Sequence, residues 1–255
     1  MMKSKLTVLL MMVLLALGGC TKQVISHHPG QNTSPSGQTL HHTVVAGETL
    51  RQIAANYYGD ADFSKAIASM NGITDPDRIV PGSVLVLEFD EKQWSGVRQR
   101  SVALEAYNKG VDMMGQDRLA EAEKQFRLAL DTAPDLESAS YNLALVLAGR
   151  GKNSEALIIL DELTVSHAEN IDFHFARGHN LFMLARFSDA VLEFEKVIAL
   201  DSTDKRAIFS LARSLQEDGQ KDRAGQTWQR YLDLDSTSSW ADSARQNLKK
   251  LHNGS

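Results

Sequence analysis

The residues of this chain that could do chemistry are few and scattered. Cys20 is the only cysteine among 255 residues, so no internal disulfide can form. Two histidine pairs, His27-His28 and His41-His42, have the composition of a zinc site. Nothing preorganises them and no cysteine or acid lies among them, so they read as exposed linker histidines. Asp60/Asp62 and Asp75/Asp77 have the spacing of acid/base or calcium-binding carboxylates, but each pair lies in a turn, where aspartate is favoured for local hydrogen bonding. His174 and His179 are five apart on one helical stretch, too far round to share a metal; one is expected to be packed and the other at the surface. No G-x-S-x-G, H-E-x-x-H, P-loop or dinucleotide fingerprint occurs. The expectation is a non-enzyme with no catalytic residue, no metal and no cofactor. A formal charge of −5, with Lys and Arg concentrated nowhere, gives no nucleic-acid footprint.

What the chain does repeat is structure. From Ser101 to Ser236, steps of 34 residues bring Ala122, Ala156, Ala190 and Ala224 into one phase. Four residues on stand Phe126, Leu160, Phe194 and Trp228, and twelve residues before each alanine stand Gly110, Ala144, Gly178 and Ala212. Small side chains are needed where two helices of a hairpin cross closely, and a bulky one fills the gap to the next repeat. The spacing predicts four helix pairs with turns near Gly115–Asp117, Gly149–Gly151, Ala185–Arg186 and Gly219–Gln220. Trp240, Ala244 and Leu248 recur at helical spacing beyond them, a capping helix over 237–251. The 34-residue step with this small, alanine and bulky pattern resembles the tetratricopeptide repeat (TPR), which implies a stack of helix pairs and a protein partner on the concave face.

At the other end Lys3 and Lys5 precede an apolar run from Leu6 to Leu17. Twelve residues are too few to span a bilayer, which takes ~20, but they have the proportions of a signal peptide over residues 1–19. Leu17-Gly18-Gly19-Cys20 resembles the lipobox of bacterial lipoproteins. The resemblance implies that Cys20 is lipidated, which removes it as a nucleophile, and that Thr21 directs the anchor to the periplasmic face of the outer membrane in a Gram-negative host. Residues 20–41 are rich in Ser, Thr, Gly, Gln and Pro without periodicity, which predicts a disordered tether.

Between tether and repeats, His42–Val45 reads as a strand. Thr49 to Gln52 is a capping box, and Leu50, Ile53, Ala54 and Tyr57 form an amphipathic helical face. A second helix follows over Asp62–Met70, and Val84–Leu87 reads as the returning strand. Strand, helix, helix, strand over 42–89 resembles the LysM domain. Gly47-Glu48-Thr49-Leu50, Asn71-Gly72-Ile73 and Ile79-Val80-Pro81-Gly82 match that family's loop motifs; His42 stands where the family usually has tyrosine. The resemblance implies binding of N-acetylglucosamine-containing glycan, here peptidoglycan, by Gly47, Glu48, Thr49, Asn71, Gly72, Ile73, Ile79 and Pro81. Each also has a structural reading: the glycines shape turns, Thr49 caps a helix and Ile79 is core.

The fold class expected is thus α-rich, a small βααβ LysM domain followed by an all-α TPR superhelix of four repeats, with residues 90–100 as linker and 101–236 as the array. In the TPR register Tyr107, Tyr141, Phe175 and Phe209 are equivalent and would line the concave face, extended by Val111, Leu145, Phe182 and Arg213. The alternative is that these aromatics pack inside their own hairpins. The function expected is an envelope scaffold with a lipid anchor in the membrane, a LysM domain on peptidoglycan and an envelope protein in the TPR groove. Its alternative is an adaptor that regulates a peptidoglycan hydrolase or synthase.

Overall fold

The computed structural model of the protein describes residues 38–44 and 47–253. Lys3, Lys5, the apolar run, Cys20, Thr21, His27, His28, Val45 and Ala46 lie outside the described residues.

The first element, β1 (Gln38–Thr43), pairs antiparallel with β2 (Val84–Phe89), from Gln38 opposite Phe89 to Thr43 opposite Val84. The strand therefore begins inside the stretch expected as tether. Leu40, His42 and Val44 alternate inward and are buried, and that face needs the whole register to cover Leu85, Leu87 and Phe89. Between the strands lie α1 (Leu50–Tyr58) and α2 (Ser64–Met70). Thr49 and Gln52 close the capping box on α1, and Gly59 ends it at φ 71. Asp60 caps the short turn before α2, its carboxylate accepting the Asp62 N–H at 2.8 Å, and Asp75 accepts the Asp77 N–H at 3.2 Å. Both aspartate pairs are turn chemistry.

The helix α3 (Glu91–Gly115) runs through residues 91–100, where a linker was expected. Asp90 caps it, accepting the Gln93 N–H at 2.7 Å. Trp94 and Val97, three apart, turn an apolar edge onto the βααβ core; the Trp94 ring lies 5.6 Å from that of Phe89, and Val97 is buried. The polar run Asp90-Glu-Lys-Gln hides this edge in the sequence.

The remaining described residues are helical but for short turns: α4 (Leu119–Thr132), α5 (Glu137–Gly149), α6 (Asn153–Ser166), α7 (Ile171–Met183), α8 (Phe187–Leu200), α9 (Lys205–Glu217), α10 (Lys221–Leu234) and α11 (Ser239–Asn253). The chain divides into two compact units. Among the described residues, one joins those up to Gln116 with Lys124–Ala139, and the other joins Asp117–Glu123 with those from Ser140 on. In the first, Gly110 of α3 lies under the Phe126 ring so closely that a Cβ on it would sit 2.6 Å from a ring carbon. In the second, the same geometry recurs 68 residues later, where a Cβ on Gly178 would lie 2.9 Å from the Phe194 ring. Ala122, Ala156, Ala190 and Ala224 are fully buried, as are Phe126, Leu160 and Trp228. Small and bulky side chains thus meet at both of these crossings. Ala241 and Ala244 of α11 are buried, and Trp240 sets its ring edge-on to Phe209 at 4.7 Å, closing the last hairpin.

The hairpin turns repeat in one further respect. Asp117, Gly151, Ala185 and Gly219, spaced by 34, all have positive φ, at 59°, 76°, 56° and 79°. Two of the four are glycine, which enters that region without steric cost; Ala185 does not. Ala185→Gly is therefore expected to stabilise the array by about 0.5–1 kcal/mol, less than the full relief because glycine also loosens the unfolded chain. A rise in the urea midpoint without change of slope would show it.

Candidate functional site

The two loops expected to bind glycan come together through main-chain bonds. The Val44 N–H donates to Ser83 O at 2.9 Å, and the Gly82 N–H donates to Val44 O at 2.8 Å, so the approach to the first loop is stitched to the end of the second. Gly47, Gly72 and Gly82 take φ of 89°, 64° and 85° with nothing near the place of a Cβ, which leaves the backbone of both loops open to close approach. The side chains of these motifs are mostly committed to the fold. Thr49 Oγ1 accepts the Gln52 N–H at 3.2 Å. Asn71 Nδ2 donates to Ile67 O at 2.9 Å and to Val86 O at 2.8 Å, and its Oδ1 accepts the Val86 N–H at 2.7 Å, so the whole amide clamps α2 to β2. Ile73 and Ile79 are half-buried against the core, while Val80 and Pro81 are exposed. What remains for a sugar is loop backbone, with the outer faces of Ile73 and Ile79 and the exposed Val80 as an apolar wall.

Glu48 has a partner that its motif did not suggest. His42, buried beneath the loop, sets Nε2 2.9 Å from Glu48 Oε2 and Nδ1 3.0 Å from the Tyr57 hydroxyl. Burial, and after it the charge of Glu48, pushes the Tyr57 phenol above its ordinary range, so it remains a donor. In this relay the Tyr57 O–H donates to Nδ1 and the Nε2–H donates to the Glu48 carboxylate. His42 is thus a tie between strand, helix and loop and not an exposed linker histidine. The alternation of Leu40, His42 and Val44 is the signal in the sequence that places it inward.

The aromatic ladder needs a correction. Tyr107 is 1% exposed, Tyr141 5%, Phe175 1% and Phe209 6%. Each packs within the helices rather than facing outward: Tyr107 on Phe126 at 5.8 Å, Tyr141 on Phe173 at 5.0 Å, Phe175 on Phe194 at 5.6 Å and Phe209 on Trp228 at 4.8 Å. Val111 and Leu145 are buried as well. Phe182 and Arg213 are half-buried, the guanidinium carbon lying 4.8 Å from the ring centre. Arg206 stands over Phe175 at 5.0 Å and is held by Asp204 at 2.7 Å.

Both histidines are packed, where one was expected at the surface: His174 sets Nδ1 2.7 Å from Glu193 Oε2 and Nε2 3.0 Å from Ala168 O, and His179 is half-buried. His179 has its imidazole pushed down to about 4, first by burial and then by the charge of Arg213. The unfolded chain therefore takes up that proton more readily. Stability is full above the ordinary histidine value of 6.5 and is lost as pH falls towards 4, by on the order of 2–3 kcal/mol for this residue. Urea titrations at pH 7.5 and 4.5 are expected to show a smaller drop in His179→Gln than in the parent chain.

Among the described residues no helix is long and apolar enough to cross a membrane, and no cluster of metal-ligating side chains occurs. Residues 42–88 match the LysM domain family. In the same part of the chain, the esterase Rv1288 of Mycobacterium tuberculosis is 47% identical over 57 residues, 22% of this chain and 12% of that protein. DnaJ homolog subfamily C member 3 of Mus musculus is 32% identical over 99 residues, 38% of this chain and 19% of that one. This chain thus spans a small part of either relative. Among solved structures, a tetratricopeptide repeat protein from Parabacteroides merdae superposes with a TM-score of 0.54 at 19% identity, covering 60% of this chain and 61% of that one. MamA from Desulfovibrio magneticus RS-1 superposes with a TM-score of 0.55 at 19% identity, covering 58% and 82%. These likenesses speak to fold alone. Residues 42–88 are a LysM domain, followed by an all-helical region whose neighbours among solved structures are tetratricopeptide-repeat and MamA proteins.

Proposed function

We propose that this chain is a non-enzymatic scaffold of the bacterial cell envelope. The observation that carries the reading is the joining of a LysM domain and a TPR-like array in one chain. The first is a peptidoglycan-binding fold and the second a protein-interaction fold; both are binding folds without chemistry of their own. Glycan contact falls to the backbone of Gly47–Thr49 and Asn71–Ile73 and to the wall formed by Ile73, Ile79 and Val80, with Pro81 exposed beside it. With the four aromatics buried among the helices, partner contacts on that face are left to Phe182 and Arg213.

The finer parts of the proposal concern the anchor. Lipid on Cys20 would hold the chain to the membrane, at the periplasmic face of the outer membrane if the host is Gram-negative, and several acyl chains at ~0.8 kcal/mol per buried methylene make a stable anchor. Metabolic labelling with a palmitate analogue is expected to mark the wild type and spare Cys20→Ser; a serine variant that still partitions with membranes would place the anchor elsewhere. Crosslinking in the envelope fraction with mass spectrometry then identifies the partner. Recovery of a peptidoglycan hydrolase or synthase would turn the scaffold reading into the adaptor reading, and recovery of no envelope protein would remove both.

A further inference from the structure

Drawing a guanidinium out of water is costly unless an acceptor meets it, so half-buried arginines are normally matched by a carboxylate or carbonyl. In the compact unit from Ser140 on, two of them are. Arg177 on α7 bonds Asp161 through Nε at 2.6 Å and Glu193 through Nη1, and Arg206 on α9 bonds Asp204 at 2.7 Å and Asp172 at 3.5 Å. Arg213, two turns further along α9, is half-buried as they are, yet among the described residues its guanidinium forms no hydrogen bond and no ion pair. Its three nitrogens all keep contact with solvent. Burial pushes its pKa below the ordinary arginine value, and Glu217, one turn on, pulls the other way without coming within bonding distance.

What holds Arg213 is Phe182 of α7, with the guanidinium carbon 4.8 Å from the ring centre. Phe187 props that ring edge-on at 5.2 Å. His179, one turn before Phe182, is the 34-residue equivalent of Arg213; it is half-buried and makes no hydrogen bond among the described residues. With its pKa held at about 4 by burial and then by the charge of Arg213, the imidazole is neutral at physiological pH and keeps one N–H to donate. On α5 the equivalent position is Leu145, buried and apolar, so no acid comes from that helix. A fixed planar cation, a neutral donor and an aromatic ring thus share one place between α7 and α9, and no acid of the chain bonds to them.

We propose that Arg213, His179 and Phe182 form a receptor for one carboxylate of a partner protein, bonded by two N–H groups of the guanidinium and by the imidazole N–H, with apolar side chains next to that acid lying against Phe182 and Phe187. The inference rests on the reading of the helical array as the part that recruits a protein. A guanidinium held flat on a ring matches the two oxygens of a carboxylate, which a lysine would not. One acid fits and a run of acids does not: Phe209, one turn before Arg213, is a buried ring, Arg206 is spent on Asp204 and Asp172, and Glu217 would repel a second negative charge.

The test titrates the full chain in detergent with two blocked peptides, acetyl-Leu-Asp-Leu-amide and acetyl-Leu-Asn-Leu-amide. Binding is read at neutral pH from the NMR signals of the Arg213 Nε–H and the His179 ring. The aspartate peptide is expected to shift both signals saturably and to bind roughly tenfold tighter than the asparagine peptide, the difference made by one charge-assisted bond. Arg213→Gln should erase that difference, Arg213→Lys should keep part of it, and Arg206→Gln, which removes a cation already paired, should leave it whole. Melting curves confirm that the variants fold. Acetyl-Leu-Leu with a free C-terminus forms a second arm: tighter binding of this peptide would assign the carboxylate to a chain end, and tighter binding of the aspartate peptide to a side chain, either of which supports the receptor. Equal binding of the aspartate and asparagine peptides, a difference that survives Arg213→Gln, or inorganic phosphate that outcompetes both carboxylates overturns it. Crosslinking in the envelope separates the two readings. A partner recovered equally by the wild type and Arg213→Gln overturns the receptor and leaves the scaffold reading standing, whereas recovery of no envelope protein removes the scaffold reading and the peptide titration still decides the receptor.

Discussion

Trp228→Ala is expected to lower the stability of the array by about 3–5 kcal/mol, the largest single loss from the bulky positions. Trp228 is fully buried, and its ring packs on Phe209, which also carries Tyr231 at 5.2 Å and Trp240 at 4.7 Å. Truncation leaves a cavity between the last hairpin and α11. The converse change is costly for the same reason. Gly178→Leu drives a side chain into the Phe194 ring, at a place where even a Cβ would be 2.9 Å from a ring carbon, and should cost about 3 kcal/mol. Gly225→Ala is the control, since a Cβ there meets only the Leu248 methyl at 3.8 Å. Chemical denaturation of the three variants orders them; a Gly178→Leu protein as stable as Gly225→Ala would contradict the close crossing.

The second large effect is expected in the LysM domain. Asn71→Ala removes three hydrogen bonds and leaves the Val86 N–H and C=O without the partner that clamps α2 to β2. Losing the bonds and stranding half-buried backbone groups should cost on the order of 3 kcal/mol. Asn71→Asp keeps the acceptor for the Val86 N–H and loses both donors, so it should fall between. If Asn71 contacts sugar directly, the alanine variant would instead melt like the wild type and lose only affinity for glycan. Hydrogen exchange at the amides of α1, α2 and β2 reports this domain by itself.

How much of this was legible in the sequence follows from how local the packing is. Gly110 with Phe126 and Gly178 with Phe194 are pairs within one hairpin, so small and bulky residues recur at fixed spacing and the 34-residue period exposes them. Thr49, Gln52 and Gly59 act on the backbone next to them, which is why the limits of α1 read directly. The first turns of α3 did not, because Trp94 and Val97 meet a core built from residues up to 57 positions away, within a run that is otherwise polar. The same limit applies to Tyr107, Tyr141, Phe175 and Phe209. The period shows that they are equivalent but not which way they face, and the rings they meet on neighbouring helices decide that. His42 reads as linker only while β1 is taken to begin at residue 42; with Leu40 and Val44 on the same face, it is core.

The central claim is that the LysM loops hold the cell wall. Sedimentation of the purified full chain, kept in detergent, with washed peptidoglycan sacculi tests it most directly, with Ile79→Asp as the companion variant. The account predicts that the wild type pellets with sacculi and is released by excess N-acetylglucosamine oligomer. It also predicts that Ile79→Asp stays in the supernatant with an unchanged circular dichroism spectrum. A folded wild-type chain that stays in the supernatant, or an Ile79→Asp chain that pellets equally, would contradict it.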